Sequence, residues 1–193
     1  MKTPKNQAKR QTIATRDLPQ IGLFVALLAV FSWITIPTVV PFTLQTFGVF
    51  LALLILGGKR GTLAILAYLL LGAIGLPVFS GFTGGVGRLF GPTGGYLLGF
   101  VACGLVYCLF ERLPLRRPVR QILALSLGLI LAYILGTAWF VAVGSSGTTP
   151  MSFGAAISLC VLPFLLPDAL KLLLAYVLSN RIRRTGVLRE HLP

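Results

Sequence analysis

Apolar runs alternate with short polar or glycine-rich connections from Ile21 to Leu178, a pattern that predicts membrane-spanning helices. The first helix is expected over residues 18–36 and the second over 42–56. Between them "IPTVVPF" turns the chain with two prolines. "GGKRG", Gly57 to Gly61, reads as a tight turn. The third helix starts at Thr62, and its cleanly apolar part ends near Ile74. That stretch rises only about 20 Å, short of the roughly 30 Å hydrocarbon core. Either the helix runs on through "GLPVF", or part of the glycine-rich segment after it dips into the protein. The fourth helix is expected over residues 94–110, the fifth over 122–143 and the sixth over 155–178. Pro163 and Pro167 lie inside the sixth, where each removes a backbone hydrogen bond.

The segment "GLPVFSGFTGGVGRLFGPTGG" holds eight glycines and two prolines in 21 residues. Free backbone groups cannot face lipid, so irregular chain at this depth must be buried in protein or line a cavity. A long external loop is the plain alternative. Val78, Phe79, Phe82, Val86, Leu89 and Phe90 favour a loop that packs down as a lid.

Charge changes the picture next. Hydrophobic residues make up 56% of the 193, and only 11% are charged, too few for a soluble domain. A net charge of +13 would suggest nucleic acid in a soluble protein. Here 15 of the 17 basic residues fall in segments that share one side of the membrane: the tail before residue 18, the 57–61 connection, the 111–120 connection and the tail after residue 180. This positive-inside bias puts both termini in the cytoplasm of a plasma-membrane protein, and no aromatics interleave to stack bases. The reading is an all-α polytopic membrane protein with six transmembrane helices. Residues 1–17 form a basic N-terminal tail, 18–180 a single membrane domain in the lipid bilayer, and 181–193 a basic C-terminal tail. The long basic tail and the missing A-x-A site make the first run a retained helix, not a signal peptide.

The chemistry is sparse. Cys103, Cys108 and Cys160 have no CxxC spacing and read as packing residues. The one histidine, His191, lies in the C-terminal tail, so no metal cluster and no Ser–His pair around "GSSG" is available. An enzyme is hard to build from these parts, no cofactor is called for, and no phosphate-binding GxxxxGK[ST] is present. Asp168 and Lys171 stand three apart on one helix face, in a segment where each charge costs about 2.5–3.5 kcal/mol at the centre. They are either a structural ion pair or a functional site. Arg88 is the one basic residue placed on the outer side, either solvated or a clamp for a carboxylate. Gln45, Tyr96, Tyr133 and Trp139 could line a cavity for a small, mostly apolar ligand. Gly22, Ala26 and Ala29 form a small-residue face for either a neighbouring helix or a partner subunit. A proton-coupled secondary transporter would also use an Asp–Lys pair and stays open at this point.

"VPFTLQTF", "GGKRG", "GLPVFSG", "GPTGGYLLGF", "AYILGTAWF" and "LPFLLPDALK" succeed one another in an order and spacing that resemble the BioY family. Its members are the biotin-binding substrate-capture (S) components of energy-coupling-factor vitamin transporters. The resemblance implies a six-helix fold whose pocket opens to the outside and is capped by the glycine-rich loop between the third and fourth helices. It implies biotin as ligand, a transmembrane coupling (T) subunit and two ATP-hydrolysing subunits as partners. The Asp-x-x-Lys motif carries a ligand-binding role onto Asp168 and Lys171, and Gln45 and Tyr133 match motif positions. Phe79, Ser80 and Arg88 are expected to complete the pocket. An S component for another vitamin is the alternative within the same fold.

Overall fold

The structure is a computed structural model that describes residues 15–38, 40–144 and 152–184. The N-terminal tail through residue 14, the "SSGTTPM" turn, the end of the C-terminal tail and His191 lie outside the described residues. The first helix, α1 (Leu18–Trp33), ends three residues earlier than the apolar pattern predicts. The chain then forms a two-stranded antiparallel ribbon, β1 (Thr35–Ile36) against β2 (Phe42–Thr43), with Thr35 opposite Thr43. The second helix, α2 (Gln45–Leu56), therefore starts at Gln45 instead of Phe42.

α2 is apolar on every side and is accordingly the central helix, with Val49 through Leu56 all buried. It packs against both α1 and α3 (Gly58–Ala73), which also touch each other. The expected five-residue turn at "GGKRG" is a single residue. Gly57 adopts φ 83°, a conformation open to glycine, and the Gly61 N–H already bonds back to the Gly57 carbonyl at 2.9 Å. The basic residues Lys59 and Arg60 consequently sit in the first turn of α3. Arg60 pairs with the buried Asp17 at 3.1 Å and ties α3 to the entrance of α1.

The tightest packing joins α5 (Gly94–Phe110) to α6 (Arg117–Gly144). Gly99 and Cys103 on α5 face Ala132 and Gly128 on α6, while Gly95 meets Trp139 and Leu135, and Gly136 meets the ring of Tyr96. A Cβ at Gly99 would stand 2.8 Å from the Cα of Ala132, and one at Gly128 would stand 2.5 Å from the Cys103 sulfur. Small residues let the two backbones meet where lipid gives apolar surfaces no reason to associate. α6 begins at Arg117, five residues before the predicted start, because Pro118 is tolerated in a first helical turn.

The predicted sixth helix is two helices, α7 (Phe153–Cys160) and α8 (Leu162–Arg184). The break falls at Val161, at φ −122° and ψ −54°. Pro163 has no N–H to continue the ladder of α7, so the chain breaks at Val161 and restarts with Pro163 in the first turn of α8. Pro167 stays inside α8.

Large apolar side chains cover the outside, Ile74 at 76% and Leu166 at 81% exposure among them. Arg117–Val143 and Leu162–Arg184 are long and apolar enough to cross a membrane, whereas Leu18–Trp33, Gln45–Leu56 and Gly94–Phe110 are apolar but shorter. Gly99→Ala should lower the thermal unfolding midpoint in detergent, at a cost of about 1–3 kcal/mol for overpacking. Gly154→Ala, where a Cβ meets nothing within 4 Å, should be neutral or slightly stabilising. Equal midpoints for the two variants would refute the close-packing account.

Candidate functional site

The Asp168 carboxylate and the Lys171 ammonium meet at 2.8 Å, one helical turn apart on α8 and at 2% and 6% residue exposure. Three other elements supply their remaining partners. Thr46, in the first turn of α2, donates its hydroxyl to Asp168 Oδ1 at 2.8 Å. Tyr133 of α6 donates to Asp168 Oδ2 at 2.6 Å. Lys171 Nζ donates to the Thr43 carbonyl at 2.7 Å and to Thr46 Oγ1 at 3.1 Å. The Phe42 ring lies 4.3 Å from the same ammonium and stacks on Phe164. All three ammonium protons are thus engaged. The carboxylate accepts three bonds and keeps room for about one more.

These groups form part of the wall of a cavity of about 730 Å³, counting the space open at its mouth. Asp168, Lys171, Gln45, Phe79, Ser80, Arg88 and Tyr133 all line it. Apolar walls come from Leu97, Phe100 and Leu129. Gln45 donates Nε2 to the Tyr68 hydroxyl at 3.0 Å, and Tyr68 donates to the Val78 carbonyl at 3.0 Å. Ser80 donates to Thr35 Oγ1 at 3.1 Å, which ties the glycine-rich segment to the ribbon. Arg88 sits on the single-turn helix α4 (Val86–Leu89), half-buried, and its guanidinium has no hydrogen bond or ion pair among the described residues.

The glycine-rich segment is packed, not loose. Phe79 is 1% exposed and meets Tyr68 edge-on, and its ring occupies the space a Cβ on Gly72 would need. Trp33 Nε1 donates to the Pro77 carbonyl at 2.9 Å, and Trp139 Nε1 donates to the Gly91 carbonyl at 3.0 Å. Trp139, a candidate for the cavity wall, instead fastens the end of this segment from behind. Tyr96 does line the cavity and shares a 3.1 Å hydrogen bond with Thr137.

Gly22 and Ala26 lie on the exposed face of α1, with nothing within 4 Å of a Cβ built at Gly22. Ala29 turns the other way, into the core at 6% exposure, so it does not share their face. Sequence reasoning missed Thr46 and the Thr43 carbonyl, which together take two of the three Lys171 protons. A threonine in an apolar run and a backbone carbonyl carry no signal of their own. The one available hint is that residues 43 and 46 flank Gln45 within "TLQTF".

A helical membrane protein whose mostly apolar cavity carries a buried Asp–Lys pair has the architecture of a small-molecule binding or transport component. The chain matches the BioY family over residues 4–187 and belongs to that family. It is 38% identical over 169 residues to a probable biotin transporter BioY of Pyrococcus horikoshii, covering 87% of this chain and 96% of that one. It is 38% identical over 188 residues to the biotin transporter BioY of Thermotoga maritima, covering 90% and 99%. Among solved structures it resembles the 2.1 Å crystal structure of the S-component for biotin from an ECF-type ABC transporter. That likeness has a TM-score of 0.76 and 26% identity, over 90% of this chain and 95% of the other.

Lys171→Met should destabilise the folded protein by about 3–5 kcal/mol, because it strands a buried carboxylate. The double replacement of Asp168 and Lys171 by Leu and Met should recover much of that loss. Additive losses in a thermal-unfolding cycle would show that the two charges act independently.

Proposed function

We propose that this chain is the biotin-capturing S component of an energy-coupling-factor transporter, a transport subunit and not an enzyme. The observation that carries the reading is the cavity itself. It has apolar walls, a satisfied Asp–Lys pair with one acceptor position to spare, and a guanidinium at Arg88 that is uncommitted among the described residues. Membership of the BioY family and the likeness to the biotin S-component support the ligand.

Biotin presents a ureido ring with two N–H donors and one carbonyl, an apolar sulfur ring and a carboxylate on a flexible chain. In the pose we favour, a ureido N–H takes the open acceptor position on Asp168. Lys171 reaches the ureido oxygen by giving up its 3.1 Å contact to Thr46, the longest of its three. Phe79, Tyr133 and the apolar walls flank the rings, with Gln45 and Ser80 at the polar edge. Arg88 clamps the carboxylate. The reverse pose would set a carboxylate beside Asp168 and against an ammonium already compensated, so it is disfavoured.

Six spans result if α1, α2, α3, α5 and α6 each cross once and α7 with α8 makes the last crossing. The 12- to 17-residue helices rise about 18–26 Å, and the ribbon and glycine-rich segment complete the crossing on one side. The basic connections then face the cytoplasm with both termini, and the cavity opens outward through the cell membrane. The exposed Gly22/Ala26 face of α1 suits close approach by a transmembrane coupling subunit, to which two ATP-hydrolysing subunits would supply the work.

Calorimetry on the purified protein tests the ligand and the pose together. Wild type should bind biotin, and Arg88→Ala should weaken binding by about tenfold to a hundredfold, the range for a lost charge-assisted hydrogen bond. The neutral carboxamide of biotin should bind both proteins alike. An Arg88→Ala protein that loses both ligands equally would refute the carboxylate clamp, and a wild type that binds neither would refute the function.

Ala26→Trp should leave biotin affinity unchanged and abolish uptake by cells that supply the partner subunits. Uptake at the wild-type rate would move the docking face elsewhere.

A further inference from the structure

A second cavity, about 870 Å³ with its open space, lies at the other end of the bundle. α2 runs from Gln45 in the first cavity to Leu56 in the second, and α8 from Asp168 to Arg183. Among the described residues, four arginines line it, Arg60, Arg117, Arg120 and Arg183, against a single carboxylate, Glu111. Glu111 is already committed, since Oε1 accepts the Gly58 N–H at 3.0 Å and so caps α3. Arg60 is matched by Asp17. Arg120 donates Nη1 to the Glu111 carbonyl at 3.3 Å, yet its buried Nε has no partner among the described residues. Arg183 donates one nitrogen to the Leu54 carbonyl in the last turn of α2.

Two helices also begin here with their charges reversed from the favourable sense. α3 opens on Gly58, Lys59 and Arg60, and α6 on Arg117 and Arg120, and neither has an acid in its first turn. A helix N-terminus carries partial positive charge, which cations aggravate and an anion relieves. Guanidinium forks match the oxygens of a phosphate group.

We propose that this arginine cavity binds a phosphate-bearing anion. The group is either the headgroup of an anionic lipid or a soluble phosphate, and the same chemistry recognises both. The site is separate from the Asp168–Lys171 cavity and needs none of its residues.

The full chain in neutral detergent is offered phosphatidylglycerol, phosphatidylcholine or inorganic phosphate at constant ionic strength. Binding is read by native mass spectrometry and by the shift in thermal midpoint. Wild type should retain phosphatidylglycerol or phosphate over phosphatidylcholine. Arg117→Gln and Arg120→Gln should each weaken that retention about tenfold, and Arg112→Gln, exposed and outside the cavity, should not. Retention of the lipid without phosphate supports the headgroup, phosphate without lipid supports a soluble anion, and both support the phosphate group whatever its carrier. Retention of neither, or equal weakening in Arg112→Gln, overturns the proposal. Arg117 is exposed, so its replacement decides the matter even where Arg120→Gln fails to fold.

Discussion

A carboxylate and an ammonium 2.8 Å apart, both almost sealed from solvent, set the terms for the rest of this structure. Their attraction alone does not cover the loss of hydration, so every remaining proton and most lone pairs must find a partner. Those partners come from elements far apart in sequence: Thr43 in the ribbon, Thr46 on α2 and Tyr133 on α6. The ribbon that ends in Phe42 and Thr43 brings both a carbonyl oxygen and an aromatic face to the ammonium. The polar groups of the cavity wall are therefore held in place by the protein's own hydrogen bonds.

Packing elsewhere serves this geometry. Ala132 precedes Tyr133, and it is Ala132 that Gly99 admits to close contact. Gly136 lies one turn further along α6, against the ring of Tyr96. The small residues on α5 and α6 thus fix how deep Tyr133 and Tyr96 stand in the cavity wall. A bulkier residue at any of these positions would push α6 outward and with it the hydroxyl that Asp168 Oδ2 accepts.

The apolar runs made most of the helices legible, and rarity made the site legible. An acid and a base three residues apart at membrane depth stand out because so little else there is charged, and of the residues expected around them all but Trp139 line one cavity. The misreadings have local causes. "GGKRG" reads as a turn because glycines cluster there, but the backbone requires glycine's freedom at Gly57 and spends the rest on starting α3. Proline alone does not say whether a helix kinks or restarts; Pro163 does the second and Pro167 stays within the helix. Ala29 looks like part of a small-residue face by composition, yet its place on the helix turns it to the core.

The glycine-rich segment obeys the same rule of matching as the buried ion pair. Its carbonyls at Pro77, Val78 and Gly91 are each met by a side-chain donor from a helix: Trp33, Tyr68 and Trp139. Its glycines and those opposite give room, as Gly72 does for the Phe79 ring. Matching is so nearly complete that the exceptions are informative. Among the described residues, one acceptor position on Asp168 and the guanidinium of Arg88 remain open in the first cavity, and the Arg120 Nε remains open in the second. An unmatched polar group costs free energy in proportion to its burial, which is complete at the Arg120 Nε and partial at Arg88. An acceptor and a cation separated by apolar walls match, in the proposed function, a molecule with a donor at one end and an anion at the other. A knot of guanidiniums at two helix N-termini is completed by an anion alone. The two ends of the bundle therefore present different chemistry, an acceptor and a half-buried cation at one and a cluster of guanidiniums at the other.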